Sequence, residues 1–161
     1  MSVNLIPGDQ ELCAAKILII DDEAADIRVL EWALRQAGFA NLLSLTDPTR
    51  SRAEFDRFQP DVVLLDLFMP EMDGFAVLQQ LGETVAADDF LPVLVLTGNN
   101  TTETRNRALK AGATDFLGKP VDYAEVVLRV KNLLLTRFLY RQAQASQARL
   151  KTPGAAQPPV G

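Results

Sequence analysis

The chain contains no histidine. That absence removes Ser–His and Cys–His nucleophile pairs, imidazole metal ligands and any role in which this polypeptide itself carries a phosphohistidine. Its single cysteine, Cys13, excludes an internal disulfide and a multi-cysteine zinc site, and it fits a reducing compartment. No apolar run approaches the roughly 18 residues of a membrane span. The opening MSVNLIPGDQELCAAK lacks both the basic start and the continuous apolar stretch of a signal peptide, so a cytoplasmic location is expected, without membrane contact. Whatever acid, base or metal chemistry the chain performs falls to carboxylates.

What is present suits an ordinary globular domain: 161 residues, 48% hydrophobic and 23% charged, enough for one compact unit with an appendage. The net charge of −5 is unevenly placed. Residues 1–120 hold 10 basic and 19 acidic residues, whereas 121–161 hold 6 and 2. An acidic globule repels nucleic acid, so direct nucleic-acid binding is not expected.

Residues 1–15 read as a loose leader with a little helix around Gln10 to Ala14. Lys16 to Ile20, KILII, is the first continuous apolar run, and continuity rather than alternation marks a strand covered on both faces, as in a parallel sheet. Leu42 to Leu45, Val62 to Leu65, Val93 to Leu96 and the shorter Phe116 to Leu117 repeat it. Between them, Asp26 to Ala37, Pro48 to Phe58, Gly74 to Leu81 and Thr101 to Ala111 carry helical spacing, with Gly38 and Gly112 as stops. Strand and helix alternating over five rounds predict an α/β, flavodoxin-like, doubly wound five-stranded parallel sheet of order 2-1-3-4-5.

The last helix is longer. Asp122 and Glu125 have capping-box spacing, and nothing breaks the helical pattern before Pro153. From Tyr123 to Leu150 it would run about 42 Å at 1.5 Å per residue, more than a small sheet covers. One apolar row, Val127, Val130, Leu134 and Phe138, is expected to face the sheet; a second, Leu128, Leu135 and Leu139, needs another partner. The last ten residues, TPGAAQPPVG, read as flexible tail or linker.

In a doubly wound sheet the ligand crevice opens at the carboxyl ends of the strands where their order reverses, here between the first and third strands. Those strands end in Asp21–Asp22 and in Asp66. Two unit charges about 4 Å apart repel by about 4 kcal/mol at an effective dielectric of 20, so such a cluster takes up protons or a cation. Oxygen-only donors favour a hard ion, Mg²⁺ foremost. The fourth strand delivers Thr97 and the fifth is followed by Lys119 and Pro120. A metal, a carboxylate, a hydroxyl and an ammonium around one crevice suit in-line phosphoryl transfer, with the central Asp66 as nucleophile.

KILIIDDE, VVLLDLFMPEMDGF, VLVLTG and DFLGKP, in this order, resemble the receiver domain of two-component response regulators over about Lys16 to Thr136. The resemblance implies that Asp66 accepts a phosphoryl group from a histidine on a partner kinase or phosphotransfer protein. It implies that Asp22, Asp66 and the backbone carbonyl of Phe68 ligate Mg²⁺ directly, with Asp21 acting through water. Thr97 would hydrogen-bond a phosphoryl oxygen, Lys119 would pair with the phosphoryl group, and Phe116 would turn inward on activation. The Lys119–Pro120 bond resembles the family's cis peptide. Phe68 and Asn99 stand where the family varies and tunes dephosphorylation.

The expected organisation is thus leader 1–15, receiver domain 16–136, helical extension or coiled coil 137–151, and flexible tail or linker 152–161. Phosphorylation would bias the face built from the segment 101–111, the strand at Phe116 and the last helix. EVVLRVKNLLLTRFLYRQ resembles the connector of regulators with HD-GYP-type outputs, so the chain reads either as a piece of a regulator with a cyclic-di-GMP-related output or as a single-domain homodimer joined through its long helix. It is not expected to turn over an external substrate. Two rivals stand beside this reading: a structural dimerisation module with a vestigial site, and a Mg²⁺-dependent phosphohydrolase. The haloacid-dehalogenase pattern places a second acid two residues after the nucleophile, where this chain has Phe68.

Overall fold

The computed structural model describes residues 6–151. Five parallel strands, β1 (Lys16–Ile20), β2 (Asn41–Leu45), β3 (Val62–Leu65), β4 (Val93–Thr97) and β5 (Asp115–Gly118), form one sheet in the order β2-β1-β3-β4-β5. The flavodoxin-like topology expected from the alternating pattern is the one observed. Register follows the apolar runs: Ile17 lies beside Leu42 on one side and Val62 on the other, Leu65 beside Val95, and Val95 beside Phe116.

Helices cover both faces, which is why the central strands are apolar at every position. On one face α3 (Ser51–Phe58), α4 (Gly74–Thr84) and α5 (Thr102–Lys110) close a core around Leu18, Val63, Leu65, Val95 and Phe116. On the other, α2 (Ala24–Gln36) and α6 (Tyr123–Lys151) close a second around Ile17, Ile19, Leu64, Leu94 and Leu96. Odd and even positions of one strand therefore feed different cores.

Element ends differ from the sequence expectation by a few residues, with local causes. The first long helix starts at Ala24 because Glu23 occupies its N-cap, held by its backbone N–H donating to Asp21 Oδ1 at 2.9 Å. The segment from Pro48 opens as a 3-10 turn, Pro48–Arg50, capped by Asp47, before α3 begins. The helix expected to stop at Leu81 continues to Thr84, where the Thr84 hydroxyl donates to the Gln80 carbonyl at 2.8 Å. Gly74 is required by close approach: a Cβ there would lie 2.5 Å from both the Asp66 carbonyl oxygen and Leu67 Cα. The start of α4 thereby rests on the strand end that carries Asp66.

The segment expected to be a loose leader is attached. A short helix, α1 (Asp9–Cys13), precedes β1, and Leu12, Cys13 and Ala15 pack against the α2/α6 core. Asn41 Nδ2 donates to the Ala14 carbonyl at 2.8 Å, and Lys131 of α6 lies 3.7 Å from Asp9. Leu12 and Ala15 supply apolar surface that an exposed leader would have left in water. Residues 1–5 and the tail expected at 152–161 lie outside the described residues.

The buried strip of α6 also differs. Asp122 caps the helix by accepting from Ala124 N–H at 2.9 Å, while Glu125 turns to Arg129 at 3.3 Å. The residues facing the domain are Val126, Val130, Leu133, Leu134 and Arg137; Val127 and Phe138, expected to be buried, are half-buried at its margin. The helix is rolled toward Val126 and Leu133 because Arg137 is drawn down onto the foot of the sheet. Its Nε lies 3.3 Å from Asp61 Oδ1, its Nη1 lies 3.6 Å from Asp89 Oδ1, and Nη1 also donates to the Phe90 carbonyl. Arg141 reaches the same two carboxylates, at 3.7 and 3.4 Å, and the Tyr140 ring packs on Phe90. Docking thus persists to about Arg141, and Ala145 to Leu150 are exposed. Leu128 and Leu139 of the second row are exposed, as the pattern implied, whereas Leu135 of the same row is half-buried. Among the described residues no helix is long and apolar enough to cross a membrane.

Candidate functional site

β1 and β3 are neighbours, so the residues that follow them meet at one edge of the sheet. Asp21 and Asp66 are buried there and Asp22 is half-buried; each offers a carboxylate oxygen to a cluster in which these atoms lie within 4.8 Å of one another. Asp66 Oδ1 accepts from Phe68 N–H at 3.3 Å. The Phe68 ring stands 51% exposed, so the position where a hydrolase of the haloacid type would hold its second acid carries an apolar side chain. The phosphohydrolase reading is not favoured.

Lys119 enters from the β5–α6 loop. Its backbone N–H donates to the Thr97 carbonyl at 2.8 Å, which fixes the stem, and the Lys119–Pro120 peptide is cis. The ammonium lies 2.8 Å from Asp26 Oδ2, 2.9 Å from Asp21 Oδ2 and 3.6 Å from Asp66 Oδ2. Asp26, in the first turn of α2, was not among the residues singled out by sequence. Only its place one turn beyond the Asp21–Asp22 pair could have pointed to it.

The electrostatics follow from burial. Removal from water pushes the Asp66 carboxyl above the ordinary aspartate value; Lys119 opposes the shift, and the Asp21 and Asp22 charges reinforce it. Burial by itself would lower Lys119, but its hydrogen bonds to Asp26 and Asp21 outweigh that, and its pKa is raised. One ammonium is shared among three carboxylates with a fourth, Asp22, beside them, so the crevice is short of positive charge. A donor set made only of carboxylate oxygens around such a deficit fits a hard divalent ion such as Mg²⁺.

Thr97, at the end of β4, is fully buried, and its hydroxyl oxygen accepts from Asn99 N–H at 3.4 Å. Thr97 and Phe116 share a face of the sheet, because Phe116 pairs with Val95, two residues before Thr97. Family resemblance implies an inward turn of Phe116 on activation; here the side chain is already inside, 6% exposed, in the same buried cluster as Val95, Ala108 and Ala113. Asp21, Asp22, Asp66 and Lys119 are therefore brought into one crevice, Thr97 borders it, Phe68 stands at its mouth, and Phe116 lies behind it in the core.

Fold and crevice together define the class: a doubly wound α/β domain with an acidic, lysine-containing crevice at its topological switch point. The family profile of the response regulator receiver domain matches residues 17–131, and the chain belongs to that family. It is 36% identical over 142 residues to the response regulator PleD of Caulobacter vibrioides, covering 85% of this chain and 30% of PleD. It is 38% identical over 118 residues to the probable transcriptional regulatory protein TcrX of Mycobacterium tuberculosis, covering 73% of this chain and 49% of TcrX. Among solved structures it is similar to the chemotaxis protein CheY4 of Vibrio cholerae, with a TM-score of 0.69 and 25% identity, covering 74% of this chain and 98% of that one. It is also similar to a chain of the CheX–CheY–BeF3–Mg²⁺ complex of Borrelia burgdorferi, with a TM-score of 0.68 and 26% identity, covering 74% and 88%. The chain spans about a third to a half of the length of these two curated relatives.

Proposed function

We propose that this receiver domain, about residues 16–136, is a phosphorylation switch whose acceptor is Asp66. The observation that carries the reading is the position of Asp66 at the end of β3, inside a carboxylate cluster and 3.6 Å from the Lys119 ammonium. With no histidine in the chain, the donor belongs to a partner, a sensor histidine kinase or a phosphotransfer protein. An Asp66 carboxylate oxygen attacks the phosphorus in line with the donor's N–P bond. The O–P bond forms as the N–P bond breaks, and that electron pair returns to the imidazole nitrogen. Lys119 pairs with the phosphoryl oxygens and the Thr97 hydroxyl donates to one of them, so both hold the transferred group in place. Asp22, Asp66 and the Phe68 carbonyl, with Asp21 acting through water, would hold Mg²⁺, which would supply neutralisation of phosphoryl charge there. Water later attacks the same phosphorus as the Asp66 O–P bond breaks, its electron pair stays on the carboxylate and inorganic phosphate leaves with a proton lost to solvent, which returns the chain to its start without turnover of an external substrate.

Thr97 and Phe116 lie on the sheet face toward α5, so changed contacts at the phosphoryl group reach the surface formed by α5, β5 and α6. A switch works only if the two states differ in their contacts, and the Thr97 hydroxyl is the group whose partner changes. We assign the exposed Leu128 and Leu139 of α6 to a homodimer contact and residues 137–151 to the helix that passes the change onward, to a cyclic-di-GMP-related output where one follows.

The test is incubation of the purified chain with Mg²⁺ and a small acyl phosphate, followed by intact mass. One phosphoryl group is expected on the unaltered chain and none on Asp66→Asn. An unaltered chain that gains no mass would leave a structural dimerisation module with a vestigial site.

A further inference from the structure

The ammonium of Lys119 is nearer to Asp26 and Asp21, at 2.8 and 2.9 Å, than to Asp66, at 3.6 Å. Asp26 stands apart from the strand-end cluster: it comes from the first turn of α2, and its side chain is 45% exposed. An ammonium has three N–H donors, and two of those on Lys119 are committed to Asp26 and Asp21. The lysine stem is fixed by its backbone bond to Thr97, so only the end of the side chain is free to exchange partners.

We propose that Asp26 is a positioning residue that holds the Lys119 ammonium back from Asp66 and competes with the phosphoryl group for it. The inference rests on the reading of Asp66 as phosphoacceptor. A phosphoryl group on Asp66 carries close to two negative charges and draws the ammonium toward it; to follow, Lys119 gives up its bond to Asp26. That loss opposes the phosphorylated state. Asp26 tolerates release because it sits near the N-terminus of α2, where the helix dipole favours a carboxylate. It also lines a cavity of about 470 Å³ with Leu30, Leu96, Val121 and Tyr123, which gives the released carboxylate room and water. Asp21 keeps hold of the lysine throughout, so the motion is a short exchange of partner from Asp26 to the group on Asp66.

The experiment uses the full chain with Mg²⁺ and a small acyl phosphate, whose acyl O–P bond breaks, leaving the electron pair on the acyl carboxylate, as the Asp66 O–P bond forms. Intact mass against time gives the phosphorylation rate and the final occupancy. Asp26→Asn, with Asp26→Ala as a second variant in case either folds poorly, is expected to raise rate or occupancy roughly two- to fivefold, the range to which a partly exposed ion pair converts. In a Lys119→Gln background the same substitution is expected to change nothing, a result that a merely structural role for Asp26 would not produce. Equal or slower phosphorylation of both Asp26 variants overturns the inference, as does an Asp26→Asn effect that persists without Lys119. An unaltered chain that takes no phosphoryl group overturns the Asp66 reading instead, so the two failures are distinct.

Discussion

Arg137 of α6 lies with its guanidinium 3.3 Å from Asp61 Oδ1, at the foot of the sheet, 6% exposed and at the opposite end of β3 from Asp66. A buried charge of this kind is held only by its partners: Asp61, Asp89 and the Phe90 carbonyl. Burial and the nearby Arg141 charge lower the Arg137 pKa, and the two aspartates counter that. The clasp decides how far along its length α6 belongs to the domain.

Arg137→Ala is expected to cost about 1–3 kcal/mol, less than a fully buried pair because Asp61 and Asp89 keep water contact. Urea unfolding reads the loss. Hydrogen exchange should quicken from Phe138 onward while β1 and β3 stay protected; unchanged exchange there would mean that apolar contacts alone hold the helix.

Acid should loosen the same clasp. Burial would raise Asp89, but the Phe90 N–H, Arg141 and Arg137 outweigh it and hold its carboxyl below the ordinary 3.8. A depressed folded value contributes stability above 3.8 that is lost as pH falls through the folded value. In Asp89→Asn that portion of the acid dependence should vanish, measured as the difference in unfolding free energy between pH 5 and pH 3.

Asp66 has the opposite sign. Its pKa is raised in the folded chain by burial, so its contribution is full below 3.8 and is lost as pH rises through the folded value. Without divalent ions, Asp66→Asn should therefore be more stable than the unaltered chain near pH 7, read as a higher Tm. The gap should close below pH 3.8. Equal Tm values at pH 7 would mean that Lys119 already offsets the burial cost.

Mg²⁺ should raise the Tm of the unaltered chain, with a gain of about 2.7 kcal/mol when the ion is present at about 100 times its Kd. Chelation should reverse it. Asp22→Asn is expected to remove most of the gain, because Asp22 is the half-buried member of the cluster and has the open side toward solvent.

If Leu128 and Leu139 form a contact between copies, replacing both with polar residues should lower the oligomeric mass in light scattering while leaving the unfolding free energy at low concentration within about 1 kcal/mol of unaltered. An unchanged mass would remove the homodimer assignment.

The strands were legible because a parallel sheet covered on both faces demands unbroken apolar runs, and KILII, VVLL and VLVLT satisfy that demand by themselves. The order of strands followed from alternation with helices. Their carboxyl ends place Asp21, Asp22 and Asp66 in one crevice by topology alone. Phe116–Leu117 is the shortest apolar run, yet β5 has four residues, because Asp115 and Gly118 join by pairing with Leu94 and Thr97 rather than by being apolar.

α6 shows the limit. Its apolar spacing puts Val130 and Leu134 on the sheet side, but burial of Val126 and Leu133 in place of Val127 and Phe138 depended on Asp61 and Asp89, residues distant in the chain that draw Arg137 inward. Asp26 shows the same limit inside the site: nothing local distinguishes it from a helix-start acid. Sequence alone determined which residues form strands and which acids stand at their ends, since those depend on local periodicity. Only the tertiary structure decided which acid holds Lys119 and which side of α6 is buried, since both are settled by charge pairing across elements that sequence separates.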